Sequence, residues 1–217
     1  MKSVLCYGDS LTWGMNVETM RRHAHDDLWP SVLEAGLDGV RVINAGLNGR
    51  TTMFDDYGVP ADRNGVRILP TTLATFEPLD LVILMLGTND LKTFISGSAA
   101  GILQGLRRLV EIVQTFPYIG DARPQVLIVS PPLVKEIAPT EAFPAVPPRS
   151  DEGKDLAAHY RRLAASTGSA FFDAASVASV GNVPDGIHLD ANNTRAIGRA
   201  LVPVVARLLH LTEADAA

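Results

Sequence analysis

Residues 79–86 constrain the fold more than any other part of this sequence, because seven of these eight residues are apolar. The run lacks the alternation of polar and apolar residues that marks a strand with one wet face. It is therefore typical of a parallel strand that is buried on both faces. Parallel strands are joined by crossovers, usually helical, which cover the faces of the sheet. The run thus predicts an α/β protein.

Shorter apolar runs elsewhere have the same character, and segments with helical periodicity separate them. Their alternation predicts one α/β domain over residues 1–217, with a parallel sheet covered on both sides. Two segments, 53–65 and 131–150, are too rich in Gly and Pro for regular structure. The predicted strands cover residues 4–7, 40–44, 79–86, 125–129 and 170–173. The predicted helices cover residues 29–36, 68–76, 98–115, 151–166 and 190–208, with Asp27 capping the first and Pro203 bending the last.

Composition excludes several classes of function. The net charge of −5 and the absence of a basic patch argue against a nucleic-acid or membrane partner. The lone cysteine, Cys6, excludes an internal disulfide and is predicted to be a small core residue. No run approaches the length of a membrane span, and the chain passes from Met1 directly into a strand. These features predict a soluble, cytoplasmic protein.

Candidate site residues follow the ends of three predicted strands. Ser10 follows the first strand after a tight turn at Gly8, Gly49 follows the second, and Asn89 follows residues 79–86. Ligands of open α/β sheets bind at the carboxyl ends of the strands, so these residues are expected to meet in one crevice. Taken alone, the stretch 7–14 is equally well explained as a turn whose Ser or Asp caps a helix.

Asp185 and His188 precede the last predicted helix. An acid can hold an imidazole by one nitrogen while the other nitrogen faces a nucleophile. Most Asp-x-x-His pairs are incidental, but this one combines with Ser10 as a hydroxyl nucleophile. The N–H groups of Ser10 and Gly49 and the amide of Asn89 are candidate donors for an oxyanion. Together these groups supply what acyl transfer needs.

The sequence resembles the SGNH, or GDSL, hydrolases in four ordered blocks. These are Gly-Asp-Ser-Leu at 8–11, Gly49, Gly-Thr-Asn-Asp at 87–90, and Asp-x-x-His at 185–188. Longer matches, such as Leu-Asn-Gly-Arg-Thr-Thr at 47–52, are similar to the bacterial arylesterase/acyltransferase branch. The Gly-x-Ser-x-Gly elbow of α/β-hydrolases is absent.

The resemblance implies a three-layer α/β/α, flavodoxin-like fold and catalysis without metal or cofactor. It implies Ser10 as nucleophile, His188 as base and Asp185 as the residue that orients it. It also implies Ser10, Gly49 and Asn89 as oxyanion donors, and a homo-oligomer whose loops narrow the site entrance. The sequence departs from that branch around 15–25 and 131–150, two segments expected to shape the entrance.

The sequence therefore predicts a serine esterase of short-chain acyl esters of aryl or alkyl alcohols, with possible acyl transfer to alcohols. The alternatives are a carbohydrate acetylesterase, a thioesterase or lysophospholipase, and a catalytically silent binding protein, against which the intact Ser10, Asp185 and His188 argue. A metal site at His23, His25, Asp26 and Asp27 is less favoured than an exposed loop, since no further His or Cys lies at ligand spacing. The candidate pocket walls are Leu11, Trp13, Phe94, Ile187 and Leu189, for each of which core packing is an equally good interpretation.

Overall fold

The computed structural model describes residues 1–120, 122–135, 150–180 and 184–211 of the chain. Within these residues the strands are β1 (Lys2–Gly8), β2 (Met15–Asn16), β3 (Arg21–Arg22), β4 (Val40–Gly46), β5 (Leu81–Met85), β6 (Gln125–Ser130) and β7 (Ala170–Asp173). The main sheet has five strands, all parallel as predicted, and their order is β4-β1-β5-β6-β7. The short strands β2 and β3 form a separate antiparallel ribbon.

Helices cover both faces of the sheet, which makes the predicted three layers. Within the described residues the helices are α1 (Ser10–Trp13), α2 (Trp29–Ala35), α3 (Gly65–Phe76), α4 (Ala99–Thr115), α5 (Ser150–Gly153), α6 (Leu156–Thr167) and α7 (Ala191–Leu208). Helices α2 and α7 pack on the face that carries Cys6 and Ile83, whereas α3, α4 and α6 pack on the face that carries Tyr7 and Leu84. Successive residues of β1 and β5 thus enter opposite cores, as the period of two requires.

The central strand explains why residues 79–86 are so apolar. All five residues of β5 are buried, because the strand lies between β1 and β6 and beneath helices on both faces. The strand is shorter than predicted. Leu79 and Leu86 flank it and are also buried, and the carbonyl of Leu86 accepts a hydrogen bond from the Tyr160 hydroxyl (2.8 Å).

Three local predictions differ from the structure. The predicted helix 151–166 is two helices, α5 and α6, and the first ends at Gly153, a residue that weakens helices. Asp27 does not cap α2; it ends the 3₁₀ turn His25–Asp27 and pairs with Arg195 of α7. The region of His23 to Asp27, expected to be an exposed loop, contains the 3₁₀ turn His25–Asp27 and directly follows the β2–β3 ribbon.

Other predictions are confirmed. Cys6 is fully buried in the core, and α7 begins after Asp190, whose carboxylate accepts the Asn193 N–H at 2.8 Å. The helix continues through Pro203, and the bend expected there stays a prediction. Segment 53–65 is irregular up to the start of α3 at Gly65. Most of the predicted irregular segment 131–150, namely 136–149, lies outside the described residues.

The order of the strands places the loops that carry the candidate site residues side by side. Strands β4, β1 and β5 are neighbours, with Gly8 in register with both Gly46 and Met85. The chain segments that leave these three strands carry Gly49, Ser10 and Asn89. Parallel strands end at the same edge, so these three residues lie along one crevice.

Candidate active site

Ser10 is held at the strand-to-helix turn by the residues before it. A Cβ atom on Gly8 would lie 2.0 Å from Thr12 Oγ1 and 2.9 Å from the Met85 carbonyl, so only glycine fits there. Asp9 caps α1, because its Oδ1 accepts the Leu11 N–H at 2.9 Å. Ser10 is thereby fixed as the first residue of α1, with 6% of its surface exposed.

His188 lies against Ser10 although 178 residues separate them in sequence. Its Nε2 is 2.9 Å from Ser10 Oγ, and its Nδ1 pairs with Asp185 Oδ2. The other oxygen, Asp185 Oδ1, accepts the N–H groups of Ile187 and His188, both at 3.0 Å. An ionised Asp185 accepts a hydrogen bond from the Nδ1–H of His188, so the proton stays on Nδ1 and Nε2 is free to accept the Ser10 hydroxyl proton. The predicted nucleophile, base and orienting acid therefore form one hydrogen-bonded chain.

Electrostatics favour the charged form of Asp185. Burial raises its pKa, but the hydrogen bond and charge of His188 and the two backbone N–H groups outweigh burial, so the pKa lies below its ordinary value. Asp9 behaves in the opposite way. Its burial raises the pKa to about 6, against the lowering effects of the Leu11 N–H and of the charges on His188 and Arg50. Two carboxylates close to His188 thus have pKa values displaced in opposite directions.

The predicted oxyanion donors occupy the neighbouring loops. Gly49 has φ +81° in a turn that is closed by a hydrogen bond from Arg50 N to the Leu47 carbonyl (3.0 Å). Such a turn needs a residue that tolerates positive φ at this position. Asn89 donates from Nδ2 to the Arg50 carbonyl at 3.2 Å and lies 3.5 Å from Asp9 Oδ2. Both Nδ2 hydrogens therefore have acceptors, and the long 3.5 Å contact with Asp9 is the one that a developing oxyanion would replace.

Arg50 ties the ends of two strands together, and sequence reasoning did not assign it this role. Its side chain is 5% exposed, and Nη1 donates to the carbonyls of Gly8 (2.8 Å) and Ala45. Its guanidinium lies 4.0 Å from the centre of the Tyr7 ring. The Arg50 carbonyl also accepts from Asn89, so this residue joins β1, β4 and the Asn89 turn. The sequence feature that could have identified Arg50 is its position directly after Gly49.

Asp90 is a second buried charge that sequence reasoning missed. Both its carboxylate oxygens accept the Thr52 N–H at 3.0 Å, and Oδ1 also accepts the Thr52 hydroxyl. Thr52 also packs closely against helix α4, because a Cβ atom added at Gly105 would lie 2.0 Å from Thr52 Oγ1. The Asp90 carboxylate therefore fastens the loop that follows Gly49 to the turn that carries Asn89. Its position next to Asn89 was the available signal.

The candidate pocket residues are distributed unevenly. Leu11 and Leu189 are each 3% exposed and belong to the core beneath α2 and α7, and Ile187 packs partly against the opposite core. Trp13 is half-buried, with the Arg22 guanidinium 5.3 Å from its ring centre. Phe94 is 62% exposed. Core packing explains the positions of Leu11 and Leu189. Trp13, Phe94 and Ile187 keep exposed surface that a ligand could contact.

The histidines of the β2–β3 region make protein contacts. His23 Nε2 lies 2.9 Å from the Leu189 carbonyl, so this region is tethered next to His188. His25 Nδ1 lies 3.3 Å from Asp26. Among the described residues, no group of three or more His, Cys, Asp or Glu side chains is arranged to hold a metal ion. Across the same residues, no helix combines the length and apolarity that crossing a bilayer requires.

Comparisons with known proteins agree with this geometry. Residues 6–214 match the GDSL-like lipase/acylhydrolase family. A carbohydrate acetylesterase family member from Sinorhizobium meliloti is 48% identical, with 97% of this chain and 100% of that chain covered and a TM-score of 0.91. The native M. smegmatis aryl esterase is 41% identical over 96% of this chain and 100% of its own, with a TM-score of 0.88. A comparison with curated proteins found no match.

Proposed function

Because the chain belongs to the GDSL-like lipase/acylhydrolase family, we propose that it cleaves short-chain acyl esters through an acyl-enzyme on Ser10. That it is a carboxylic ester hydrolase follows from the family and from structural relatives named as aryl esterases and acetylesterases. The observation that supports the proposed mechanism is the 2.9 Å contact between Ser10 Oγ and His188 Nε2, together with the hydrogen bond between His188 Nδ1 and Asp185 Oδ2.

In the proposed first half-reaction, Ser10 Oγ attacks the ester carbonyl carbon while His188 Nε2 takes its proton. The carbonyl oxygen gains a negative charge, and the N–H groups of Ser10 and Gly49 and the amide of Asn89 stabilise it. When the tetrahedral intermediate collapses, the bond to the alcohol oxygen breaks. His188 returns the proton to that oxygen, and the alcohol leaves.

In the second half-reaction, water repeats these steps on the acyl-enzyme. His188 takes a proton from the water as its oxygen attacks, and the released Ser10 oxygen recovers that proton. A small alcohol in place of water gives a new ester, so acyl transfer belongs to the same proposal. Gas chromatography of reactions run in dilute alcohol measures the ratio of transfer to hydrolysis.

The decisive experiment pairs a fluorophosphonate probe with Ser10→Ala. The probe should label wild type at Ser10, and the variant should neither take the label nor turn over p-nitrophenyl acetate. Loss of a triad nucleophile costs about 10⁶ in kcat. Alanine fits the same helix start, so circular dichroism should show the variant folded. Near-normal esterase activity in the folded variant would refute the assignment of Ser10.

A carbohydrate acetylesterase is the second candidate, favoured by the S. meliloti relatives of that name, which are 48% and 37% identical to this chain. Both candidates use the same residues, so only substrates separate them. A series of p-nitrophenyl esters of increasing chain length, compared with acetylated sugars at equal concentration, decides the matter. A higher kcat/KM for the sugar acetates would favour the second candidate. A preference for long acyl chains would instead indicate a lysophospholipase or thioesterase.

A further inference from the structure

Two cationic side chains lie next to the predicted oxyanion donors, and within the part of the chain that the structure describes neither forms an ion pair. The Arg63 guanidinium covers Gly49, since a Cβ on that glycine would lie 2.1 Å from Arg63 Nη1. Lys92 lies three residues after Asn89, and its ammonium is 5.9 Å from the centre of the exposed Phe94 ring. Among the described residues, neither side chain forms a hydrogen bond or an ion pair, although both are half-buried and Arg63 Nε is fully covered.

The acidic residues of the 53–65 loop do not neutralise Arg63. Asp55 and Asp62 both pair with Arg67 on α3, and Asp56 accepts the Gly58 N–H at 3.0 Å. The loop therefore pairs two carboxylates with Arg67 and none with Arg63. A guanidinium that is half removed from water and unpaired favours binding of an anion, because its fork of donors matches a carboxylate.

Lys92 is in a similar position. Burial lowers its pKa, and repulsion from Arg63 acts in the same direction, against attraction from Asp56, Asp9 and Asp90. An anion held between Arg63 and Lys92 would offset their repulsion. It would also replace the water that half-burial has removed from both groups.

We propose that Arg63 and Lys92 form an anion-binding subsite next to the oxyanion donors, and that the preferred substrates are esters with a negatively charged group. This inference rests on the esterase function proposed above. Because that function concerns short acyl chains, the anionic group belongs to the alcohol portion of the ester. The exposed Phe94 ring next to Lys92 adds apolar surface, which suits an aryl alcohol bearing a carboxylate.

The test compares 4-acetoxybenzoate with its neutral analogue 4-acetoxybenzamide. The measured quantity is the ratio of their kcat/KM values in wild type, Arg63→Gln, Lys92→Gln and the double variant. Differences in intrinsic reactivity cancel when this ratio is compared between proteins. Arg41→Gln is the control for charge, because Arg41 is exposed near the start of β4, at the opposite edge of the sheet.

The double substitution should lower the ratio about tenfold, as expected for a partly solvated charged contact. Each single variant should lower it less, the control should leave it unchanged, and 0.5 M salt should lower it in wild type. A ratio in the double variant within about twofold of wild type would overturn the proposal. Binding of the two esters to Ser10→Ala, by calorimetry, tests the subsite without turnover. Failure of the esterase mechanism therefore stays distinguishable from failure of the subsite.

Discussion

Asp90→Asn offers the sharpest test of the buried framework behind the site. Asp90 is fully buried and accepts hydrogen bonds from the backbone and hydroxyl of Thr52. Asparagine has nearly the same shape but does not ionise. The substitution therefore removes a buried ionisable group while it keeps most of the packing. It should change how the free energy of unfolding depends on pH.

The expected magnitude follows from the pKa. Burial, opposed by the hydrogen bonds from Thr52 and the charge of Lys92, raises the pKa of Asp90 to about 6. A carboxyl whose folded pKa exceeds its unfolded value of about 3.9 binds its proton more tightly in the folded state. It therefore stabilises the protein at low pH, and this stabilisation is lost as the pH rises through about 6. Between pH 5 and pH 7, Asp90 should lower the free energy of unfolding by about 1 kcal/mol.

Urea unfolding followed by tryptophan fluorescence measures this effect between pH 5 and pH 7. The change in unfolding free energy across that range should be about 1 kcal/mol smaller in Asp90→Asn than in wild type. Asp9, with its own pKa of about 6, and the five histidines remain in both proteins. Asp38→Asn removes the same charge from an exposed position and controls for net charge. Parallel curves for wild type and Asp90→Asn would refute the reasoning.

Two further predictions concern the site and its assembly. Asn89→Ala should lower kcat by about 10²–10³ with little change in KM, because its amide acts on charge that develops only in the transition state. Steady-state kinetics test this, and a loss confined to KM would assign Asn89 to substrate binding instead. We also expect a homo-oligomer, because segments 53–65 and 131–150 are too apolar for simple solvated loops. Light scattering at micromolar concentration should give a mass well above the 23.2 kDa of one chain, and a value near that mass would contradict the expectation.

The sequence predicted the architecture because hydrophobic burial leaves a direct pattern. A strand covered on both faces must be apolar throughout, so β5 and its neighbours are visible as runs. Parallel strands bring their carboxyl ends to one edge, so the sequence alone predicts that Ser10, Gly49 and Asn89 lie close together. The approach of His188 to Ser10 across 178 residues was predicted from the residue types and from the resemblance to a family.

The internal polar contacts were not predictable, because burial of a charge depends on tertiary packing. Asp90 and Arg50 look like surface residues in a sequence, yet both are buried and hydrogen-bonded to neighbouring loops. Asp27 has the residue type of a helix cap, but pairing with Arg195 holds it elsewhere. Arg63 likewise has no ion-pair partner among the described residues because Arg67 binds the carboxylates of Asp55 and Asp62, and no local sequence pattern predicts which arginine binds them.

The pair of Asp185 and His188 leads to the last prediction. Asp185→Asn should lower the plateau of kcat/KM by about 10⁴. The pKa of Asp185 lies below its ordinary value, which favours the ionised carboxylate, and this carboxylate accepts a hydrogen bond from the Nδ1–H of His188. If the asparagine amide turns its NH₂ group toward Nδ1, it donates where the carboxylate accepted. The ring proton then moves to Nε2, which can no longer take the proton of Ser10.

The measurement is kcat/KM against pH for the variant, with wild type as reference. Wild type should lose activity on acidification, because general-base catalysis needs the unprotonated form of the base, and level off at higher pH. Asp190→Asn is the matched control, because asparagine caps α7 about as well as aspartate does and Asp190 lies two residues from His188. The control should keep the wild-type profile. A plateau for Asp185→Asn within tenfold of wild type, in a variant of unchanged thermal stability, would mean that Asp185 does not set the tautomer of the base. A wild-type profile flat from pH 5 to pH 8 would remove His188 itself from that role.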